Sequence, residues 1–239
     1  ENVRYDHTLA LKRKNQVVQR LVSGVNAKMR KHGVTVYTGA GKVVNHIGDT
    51  FTIDVDGKKL SAGKLLIATG AAPFMPPIDG LKEAVASGLV LTSKEILDIE
   101  DPPRDFVVLG GGAIGLEMAS YFNSIGSSVT VVEMLDHVGG DIDTEISLLL
   151  QKAYEKKGVT FLTSACVSQI TSDGLTYRKE NAEHELKADK ILLAAGRTPI
   201  VDSIGLDAAG VEIHEFGIDT DEHMCTNIPN LYAAGDVTG

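Results

Sequence analysis

One stretch near the middle of the chain constrains the fold more than any other, because an apolar strand runs through glycines into a helix and then a second strand. It reads "DFVVLGGGAIGLEMASYFNSIGSSVTVVE". The first strand segment is a run of apolar residues and the second is rich in valine, which is typical of buried strands. Strands joined by one crossover helix lie parallel, because the helix returns the chain to the same edge of the sheet. The stretch therefore predicts a βαβ unit of an α/β domain.

The glycines between this strand and helix follow the pattern G-x-G-x-x-G, at Gly110, Gly112 and Gly115. The first glycine permits a tight turn, the second lets the backbone approach a pyrophosphate, and the third allows close packing of helix on strand. The first turn of the helix adds free N–H groups and the positive end of its dipole. The pattern alone is a weak signal, but this strand–helix setting indicates a dinucleotide site.

An acidic residue, Glu133, ends the second strand at close to the spacing of about 20 residues expected for a ribose-binding carboxylate. A carboxylate there accepts hydrogen bonds from ribose hydroxyls and repels a 2′-phosphate. No arginine follows it in "EMLDHVGGD". We therefore expect NAD(H) in preference to NADP(H). Glu117 lies one turn inside the helix, where it faces either the cofactor cleft or solvent.

The first part of the chain predicts one long helix followed by short strands. Strand signals come from "VTVY", "KVVNHI", "TFTIDV" and "LLIATG", and the Asp56–Gly57 dipeptide predicts a hairpin turn between two of them. The helix is expected over residues 8–32, because apolar side chains recur there at three- and four-residue spacings. This stripe consists of Leu9, Val17, Leu21, Val25 and Met29.

A proline-rich segment, "AAPFMPPIDG", separates this region from the next and predicts a linker. "LTSKEILDI" predicts a short helix that Ser93 caps. Helix signals then alternate with strand signals, ending with the helix "DTEISLLLQKAYEKKG" and the strands "VTFLTSACV" and "KILLAAG". This alternation favours a parallel sheet.

Composition narrows the function further. A net charge of −9 argues against a nucleic-acid partner. No apolar run reaches the roughly 20 residues of a membrane span and no secretory signal is visible, so we expect a cytoplasmic protein. Cys166 and Cys225 are too far apart for a C-x-x-C site and are expected to be free, mostly buried thiols. "HEFGIDTDEHM" contains His214 and His223, for which a solvated loop is expected rather than a metal site.

Five motifs occur in an order that resembles the flavin-dependent pyridine nucleotide–disulfide oxidoreductases, and among them the dihydrolipoyl dehydrogenases: "LLIATGAAP", "VVLGGGAIGLEMA", "VTVVE", "LLAAGRTP" and "TNIPNLYAAGDVTG". The resemblance covers nearly the whole chain. It implies a Rossmann-like, three-layer α/β fold with a parallel sheet and a small antiparallel β-meander. It also implies an NAD-binding domain at 76–200 that interrupts an FAD-binding domain, of which 1–75 and 201–239 are parts.

The resemblance implies two cofactor sites and no catalytic residue within this chain. Asp236 corresponds to the carboxylate that binds the flavin ribitol hydroxyls. The implied NAD site is Gly110, Gly111, Gly112, Ala113, Ile114, Gly115, Leu116, Glu117, Glu133, Val167 and Gly196, and the implied partial FAD site is Gly41, Thr69, Gly70, Ala71 and Asp236.

The sequence also departs from the family pattern. It has no G-x-G-x-x-G before residue 106 and no C-x-x-x-x-C, and the family's catalytic His and its partner Glu lie beyond "AAGDVTG". We therefore expect an internal part of a longer enzyme, inactive by itself and not retaining FAD. The parent is expected to transfer electrons from dihydrolipoamide through a disulfide and FAD to NAD⁺. It would be a homodimer within a 2-oxo acid or acetoin dehydrogenase complex, while this chain alone would be a monomer or an adventitious dimer.

Three alternatives remain, of which the first shares most of these motifs. The first alternative is that the longer enzyme is a related NAD(P)H-dependent reductase of mercuric ion, glutathione or coenzyme A disulfide. Glu133 disfavours the NADPH-dependent members of this group. A second alternative is a non-enzymatic NAD-binding module. The third is a purely structural α/β domain, which the glycine–acid spacing disfavours.

Overall fold

The computed structural model describes residues 5–239, which divide into two compact units. Of these residues, unit 1 contains 5–19 and 73–196, and unit 2 contains 20–72 and 197–239. Both units combine strands with helical segments, and a parallel sheet is present, so the predicted α/β class is confirmed. Among residues 5–239, no helix combines the length and hydropathy needed to cross a membrane.

Four α-helices are present in the described part of the chain, along with short 3₁₀ turns at Glu95–Asp98, Asp207–Ala209 and Asp236–Thr238. The predicted first helix is confirmed to within a residue at each end. The α-helices are α1 (His7–Lys31), α2 (Leu81–Ser87), α3 (Ala113–Ser124) and α4 (Thr144–Glu155).

The strands are numbered along the chain. Those before α3 are β1 (Gly41–Ile47), β2 (Thr50–Val55), β3 (Lys58–Ala62), β4 (Leu65–Ile67), β5 (Ala71–Pro73), β6 (Val90–Thr92) and β7 (Asp105–Leu109). Those after it are β8 (Ser128–Val132), β9 (Thr160–Leu162), β10 (Cys166–Ile170), β11 (Gly174–Lys179), β12 (Ala182–Lys187), β13 (Lys190–Leu193), β14 (Arg197–Pro199), β15 (Ile213–His214), β16 (Gly217–Ile218) and β17 (Leu231–Ala233).

Unit 1 is built on a five-stranded parallel sheet in the order β6-β13-β7-β8-β9. From β7 the chain passes through α3 to β8 and then through α4 to β9, always in one direction across the sheet. It later returns as β13 on the other side of β7, so the strand order reverses between these two strands. The apolar runs predicted to be buried strands form the core, with Val108, Val131 and Leu192 fully buried.

A three-stranded antiparallel meander, β10-β11-β12, completes unit 1. The sequence predicted one strand over "VTFLTSACV", but the structure divides it into β9 of the parallel sheet and β10 of the meander. Ser164 lies between them with φ 52°, a left-handed conformation that interrupts an extended strand. The prediction of a single strand was therefore wrong.

Unit 2 contains a second antiparallel meander, β1-β2-β3, and a parallel pair formed by β4 and β17. The predicted hairpin turn is confirmed, because Asp56 and Gly57 both adopt positive φ, 50° and 89°. Phe51 and Leu231 are fully buried at the centre of the apolar core of this unit.

Two local predictions were wrong. "VTVY" is not a strand, because no strand in residues 5–239 pairs with it, and Val36 is exposed. Ser93 makes no cap. Instead the Glu95 carboxylate accepts the backbone N–H of Thr92 at 3.0 Å, at the start of the short 3₁₀ helix. The apolar stripe on α1 is present in the sequence, but no residue of this helix is buried within the described part of the chain.

The cysteines are unpaired, as expected, but they are not buried. Cys166 is exposed on β10 and Cys225 is half-exposed. Partial desolvation of the half-exposed Cys225 sulfur and the neighbouring Asp221 carboxylate both raise the pKa of this thiol. The expectation of mostly buried thiols was therefore wrong, because both residues lie at the surface of their units rather than in an apolar core.

Candidate dinucleotide-binding site

The predicted glycine turn lies at the carboxyl end of β7, where the strand order of the parallel sheet reverses. The N–H of Gly110 donates to the Val132 carbonyl at 2.9 Å, and the N–H of Ala194 donates to the Leu109 carbonyl at 2.8 Å. These bonds hold the ends of β8 and β13 against the end of β7. In open α/β sheets, ligands bind in the crevice at such a switch point.

Each glycine of the turn has a distinct steric role. Gly110 has φ 104°, and a Cβ there would lie 2.3 Å from the Ala194 carbonyl oxygen. A Cβ at Gly115 would lie 2.1 Å from the Gly110 carbonyl oxygen, because α3 packs directly on the turn. At Gly112, by contrast, a Cβ would meet no heavy atom within 4 Å. The first and third glycines are therefore required by the protein's own packing, whereas the second leaves space for something else.

The open space at Gly112 coincides with the start of α3. Gly112 caps this helix without a side-chain hydrogen bond, and its carbonyl accepts the Leu116 N–H at 2.9 Å. The N–H groups of Gly112, Ala113 and Ile114 donate to no acceptor in residues 5–239. Unpaired N–H groups at a helix start, with no Cβ in the way, fit an anionic group such as a pyrophosphate.

The Glu133 carboxylate is half-buried beside this turn. Its Oε2 accepts the Gly111 N–H at 2.6 Å, and its Oε1 accepts the Leu135 N–H at 2.8 Å. The sequence predicted a ribose-binding role for Glu133 but not these two backbone bonds. Two carboxylate oxygens offer about four acceptor positions, so hydroxyl donors can still be accommodated. Glu117 is exposed on α3.

The segment after Glu133, residues 134–140, folds back onto the glycine turn. The N–H of Gly139 donates to the Gly111 carbonyl at 2.8 Å. His137 Nδ1 lies 2.6 Å from Asp136 Oδ1, and this hydrogen bond raises the pKa of His137 while lowering that of Asp136. None of these residues was predicted as part of the site, although the glycine pair in "DHVGGD" was a signal for a turn.

The two remaining residues assigned to NAD lie in different surroundings. Gly196 follows Ala194 and Ala195, and the Ala195 Cα would lie 3.1 Å from a Cβ at Gly110, so this segment adjoins the glycine turn. Val167 lies on β10, is half-buried, and packs against the apolar core of unit 1. The structure thus brings the segment preceding Gly196 to the glycine turn and places Val167 in the meander.

In unit 2, Asp236 and Ala71 line a common cavity of about 460 Å³. Asp236 Oδ2 lies 3.4 Å from Arg197 Nε, and the Arg197 guanidinium also donates to the Ala71 carbonyl. Arg197 was quoted within "LLAAGRTP" but not predicted as a site residue. The other lining residues are Pro199, Glu215, Phe216, Gly235 and Gly239.

The other residues assigned to FAD have structural partners in unit 2. Thr69 Oγ1 donates to the Ile200 carbonyl at 2.7 Å, and the Ile200 N–H donates to the Gly70 carbonyl at 2.9 Å. These bonds join the segment after β4 to the segment after β14. Gly41 begins β1 and is not among the residues that line the cavity.

The acidic segment with two histidines forms the short β15-β16 hairpin and a loop. His214 Nε2 lies 3.6 Å from Asp219 Oδ1, and His223 pairs with the neighbouring Glu222. Within residues 5–239, no group of three or more His, Cys, Asp or Glu side chains is arranged to hold a metal ion. The backbone N–H groups of Cys225 and His223 lower the pKa of Asp221 by hydrogen bonding to its carboxylate.

Comparison with known proteins identifies the family of the chain. The family described as pyridine nucleotide-disulphide oxidoreductase matches residues 2–239. The chain belongs to this family. A dihydrolipoyl dehydrogenase of Acholeplasma laidlawii is 37% identical over 99% of this chain and 69% of its own length. A dihydrolipoyl dehydrogenase of Chlamydia pneumoniae is 36% identical over 98% of this chain and 50% of its own length.

Solved structures of a disulfide reductase have the same fold as this chain. The Cu(II) complex of the HOCl-induced flavoprotein disulfide reductase RclA from Escherichia coli superposes with a TM-score of 0.86 at 29% identity, covering 98% of this chain and 53% of that one. A second structure of RclA from Escherichia coli superposes with a TM-score of 0.85 at 29% identity. The chain thus spans about half the length of most relatives it matches.

Proposed function

We propose that this disulphide oxidoreductase chain binds NAD(H) at the carboxyl end of β7. The observation that carries the proposal is the turn at Gly112, where open space, three N–H groups without a protein acceptor and the Glu133 carboxylate occur together. An anionic pyrophosphate satisfies the N–H groups, and the ribose hydroxyls donate to the carboxylate. The open space and the three N–H groups have no partner within residues 5–239, and the Glu133 carboxylate has acceptor positions left beyond its two backbone bonds.

The residues divide into those that shape this site and those that contact the cofactor. Gly110 and Gly115 shape the turn, and Leu116 is buried within α3. Gly111 links the turn to Glu133. The proposed contacts are Gly112, Ala113, Ile114 and Glu133, with Glu117, Val167 and Gly196 toward the periphery.

We propose the corresponding domain assignment. Residues 76–200 form the NAD-binding domain, and residues 1–75 and 201–239 belong to an FAD-binding domain. In support, the cavity lined by Ala71 and Asp236 offers a carboxylate and backbone groups suited to a polyhydroxyl chain. Thr69 and Gly70 directly precede Ala71 and would flank this part of the site, whereas Gly41 is assigned to FAD on the family resemblance alone.

The parent activity that best fits is that of a dihydrolipoyl dehydrogenase, in which bound FAD and NAD⁺ supply the redox chemistry. The role of the described residues is to bind and orient NAD⁺. This chain by itself is proposed to be inactive toward dihydrolipoamide, because its two cysteines, Cys166 and Cys225, are unpaired and form no C-x-x-x-x-C. A homodimeric parent within a 2-oxo acid or acetoin dehydrogenase complex is part of the same proposal.

Titration with NADH, followed by its fluorescence, tests the binding proposal. Saturable binding with a Kd below about 1 mM is expected, which corresponds to a binding free energy of at least about 4 kcal/mol. NADPH provides the matched comparison and should bind more weakly, because Glu133 repels its 2′-phosphate. Absence of binding at millimolar NADH, or tighter binding of NADPH, would contradict the proposal.

The absorption spectrum of the purified chain tests the flavin proposal separately. With an incomplete FAD site, the chain should be purified without the visible bands of a flavin. A yellow protein whose flavin is retained through gel filtration would show that these residues hold FAD unaided.

The similarity to RclA favours one further candidate, a disulfide reductase with another substrate. Assays on the longer gene product distinguish the two activities. Reduction of NAD⁺ by dihydrolipoamide is expected for the first. NADH-dependent reduction of another disulfide, without dihydrolipoamide oxidation, would establish the second.

A further inference from the structure

A fully buried serine on α4 hydrogen-bonds to the loop that follows Glu133. Ser147 Oγ donates to the Val138 carbonyl at 2.6 Å and accepts the Val138 N–H at 3.1 Å. Both residues have no exposed surface. Buried backbone groups require partners, and this one hydroxyl supplies both partners for Val138. Ser147 therefore fixes the loop from the side of α4.

The loop in turn fixes the peptide groups of Gly111. The Val138 side chain lies against Gly111, with its Cγ1 2.9 Å from where a Cβ would be. The next residue, Gly139, donates its N–H to the Gly111 carbonyl at 2.8 Å. The Gly111 N–H is held at 2.6 Å by Glu133. Both polar groups of Gly111 are thus held, one by the strand-end acid and the other by the loop that Ser147 anchors.

Gly111 directly precedes the unpaired N–H groups at the start of α3. The Gly111 carbonyl and the Gly112 N–H belong to the same planar peptide group. A shift of this carbonyl therefore reorients the Gly112 N–H. We propose that Ser147 is a positioning residue for the dinucleotide site, acting through Val138, Gly139 and Gly111. The inference rests on the proposed function, because it assigns Ser147 to the same NAD(H) site without placing it in contact with the cofactor. Preorganised donors lose effect when misplaced by even a fraction of an ångström.

The test compares two serine-to-alanine variants in the full 239-residue chain. Ser147→Ala leaves both Val138 backbone groups unpaired. Ser127→Ala is the matched control, because Ser127 is also buried and its Oγ donates to the Pro103 carbonyl at 2.6 Å. Ser127 lies just before β8, at the opposite end of that strand from Glu133. Both variants should lower the melting temperature.

Only Ser147→Ala should also weaken NADH binding, raising Kd about tenfold, which corresponds to about 1.4 kcal/mol. The Kd of Ser127→Ala for NADH should stay within about twofold of that of the unsubstituted chain, because Ser127 is remote from the turn. Equal Kd values for Ser147→Ala and the unsubstituted chain would overturn the inference. Equally weakened NADH binding in Ser147→Ala and Ser127→Ala would overturn it as well. If the unsubstituted 239-residue chain does not bind NADH, the proposed function fails. That outcome differs from the one in which the unsubstituted chain and Ser147→Ala bind NADH equally well, which overturns only the inference about Ser147.

A measurement without cofactor separates positioning from general destabilisation. Amide hydrogen exchange of Gly139 and Gly111 should accelerate in Ser147→Ala and remain unchanged in Ser127→Ala. If Ser147→Ala does not fold, Ser147→Cys replaces it, because the thiol keeps the volume but is a weaker donor and acceptor. Ser147→Cys should then weaken NADH binding several-fold. Parent-like exchange and affinity in that variant would equally overturn the inference.

Discussion

Alanine at Gly112 should separate cofactor binding from folding. A Cβ at this position meets no protein atom within 4 Å, and Gly112 has φ −75°, which alanine adopts readily. Alanine is a poorer N-cap than glycine, by roughly 0.5–1 kcal/mol. Lower entropy of the unfolded chain offsets this by about 0.4–1 kcal/mol. The net change in the free energy of unfolding should therefore be within about 0.5 kcal/mol.

Binding should respond very differently. The added methyl group occupies the space through which the backbone approaches the pyrophosphate. NADH affinity in Gly112→Ala should fall at least about tenfold, or by about 1.4 kcal/mol or more. Fluorescence titration gives Kd, and thermal unfolding followed by circular dichroism gives the stability of the same samples. Unchanged affinity in Gly112→Ala would refute the placement of the pyrophosphate at this turn.

Gly115→Ala is the matched comparison, because here the methyl group meets the protein. Its Cβ would lie 2.1 Å from the Gly110 carbonyl oxygen and 3.0 Å from Val108 Cγ1. Such overpacking costs about 1–3 kcal/mol, partly offset by roughly 0.5–1 kcal/mol of helix propensity. The melting temperature should fall by about 2–4 °C per kcal/mol of net loss. If Gly115→Ala is as stable as the unsubstituted chain, α3 does not pack on the turn as described.

Three further predictions concern single side chains. Glu133→Gln removes the charge but keeps one acceptor oxygen, so the preference for NADH over NADPH should fall about tenfold, about 1.4 kcal/mol; an unchanged ratio of the two Kd values would contradict a role in cofactor choice. The Asp136 carboxylate raises the pKa of His137 above its ordinary 6.5, and the pair lowers the pKa of Asp136 below 3.8. The contribution of the imidazolium to folding stability is fully present below pH 6.5 and is lost as pH rises through the raised pKa of His137. The contribution of the carboxylate is present above pH 3.8 and is lost as pH falls through the lowered pKa of Asp136. Asp136→Asn should return the pKa of His137 toward 6.5 in an NMR titration, and an unmoved titration would show that the pair does not form. Phe51→Ala should destabilise unit 2 by about 3–5 kcal/mol in urea unfolding, because it empties the centre of that core; a loss below about 1 kcal/mol would mean that the site collapses or was never well packed.

The parallel sheet of unit 1 could be predicted from sequence because its signals are local. Uninterrupted apolar runs marked β7 and β13, a valine-rich segment marked β8, and the glycine pattern marked the turn before α3. The positions of Gly110 and Gly115 follow from the close approach of backbone to backbone, which excludes a side chain at both. For these residues, sequence pattern and packing express the same constraint.

Other features depend on which distant segments meet, and the sequence carried no comparable signal for them. "VTVY" has strand composition, but a strand forms only where a neighbour offers hydrogen bonds. The contact of Ser147 with Val138 joins a helix to a loop through one hydroxyl, and serine in a helix is usually solvated. The salt bridge between Arg197 and Asp236 joins two separate motifs of unit 2. Such pairings become visible only in three dimensions.

Hydrogen–deuterium exchange with and without NAD⁺ tests the location of the proposed site most directly. The amides at the start of α3 donate to no protein acceptor in residues 5–239, so bound phosphate oxygens should slow their exchange. At saturating NAD⁺, peptides covering residues 110–117 and 133–140 should take up deuterium more slowly, with little change over residues 197–239. Unchanged exchange at 110–117, or protection confined to residues 197–239, would contradict the assignment of the dinucleotide site to the end of β7.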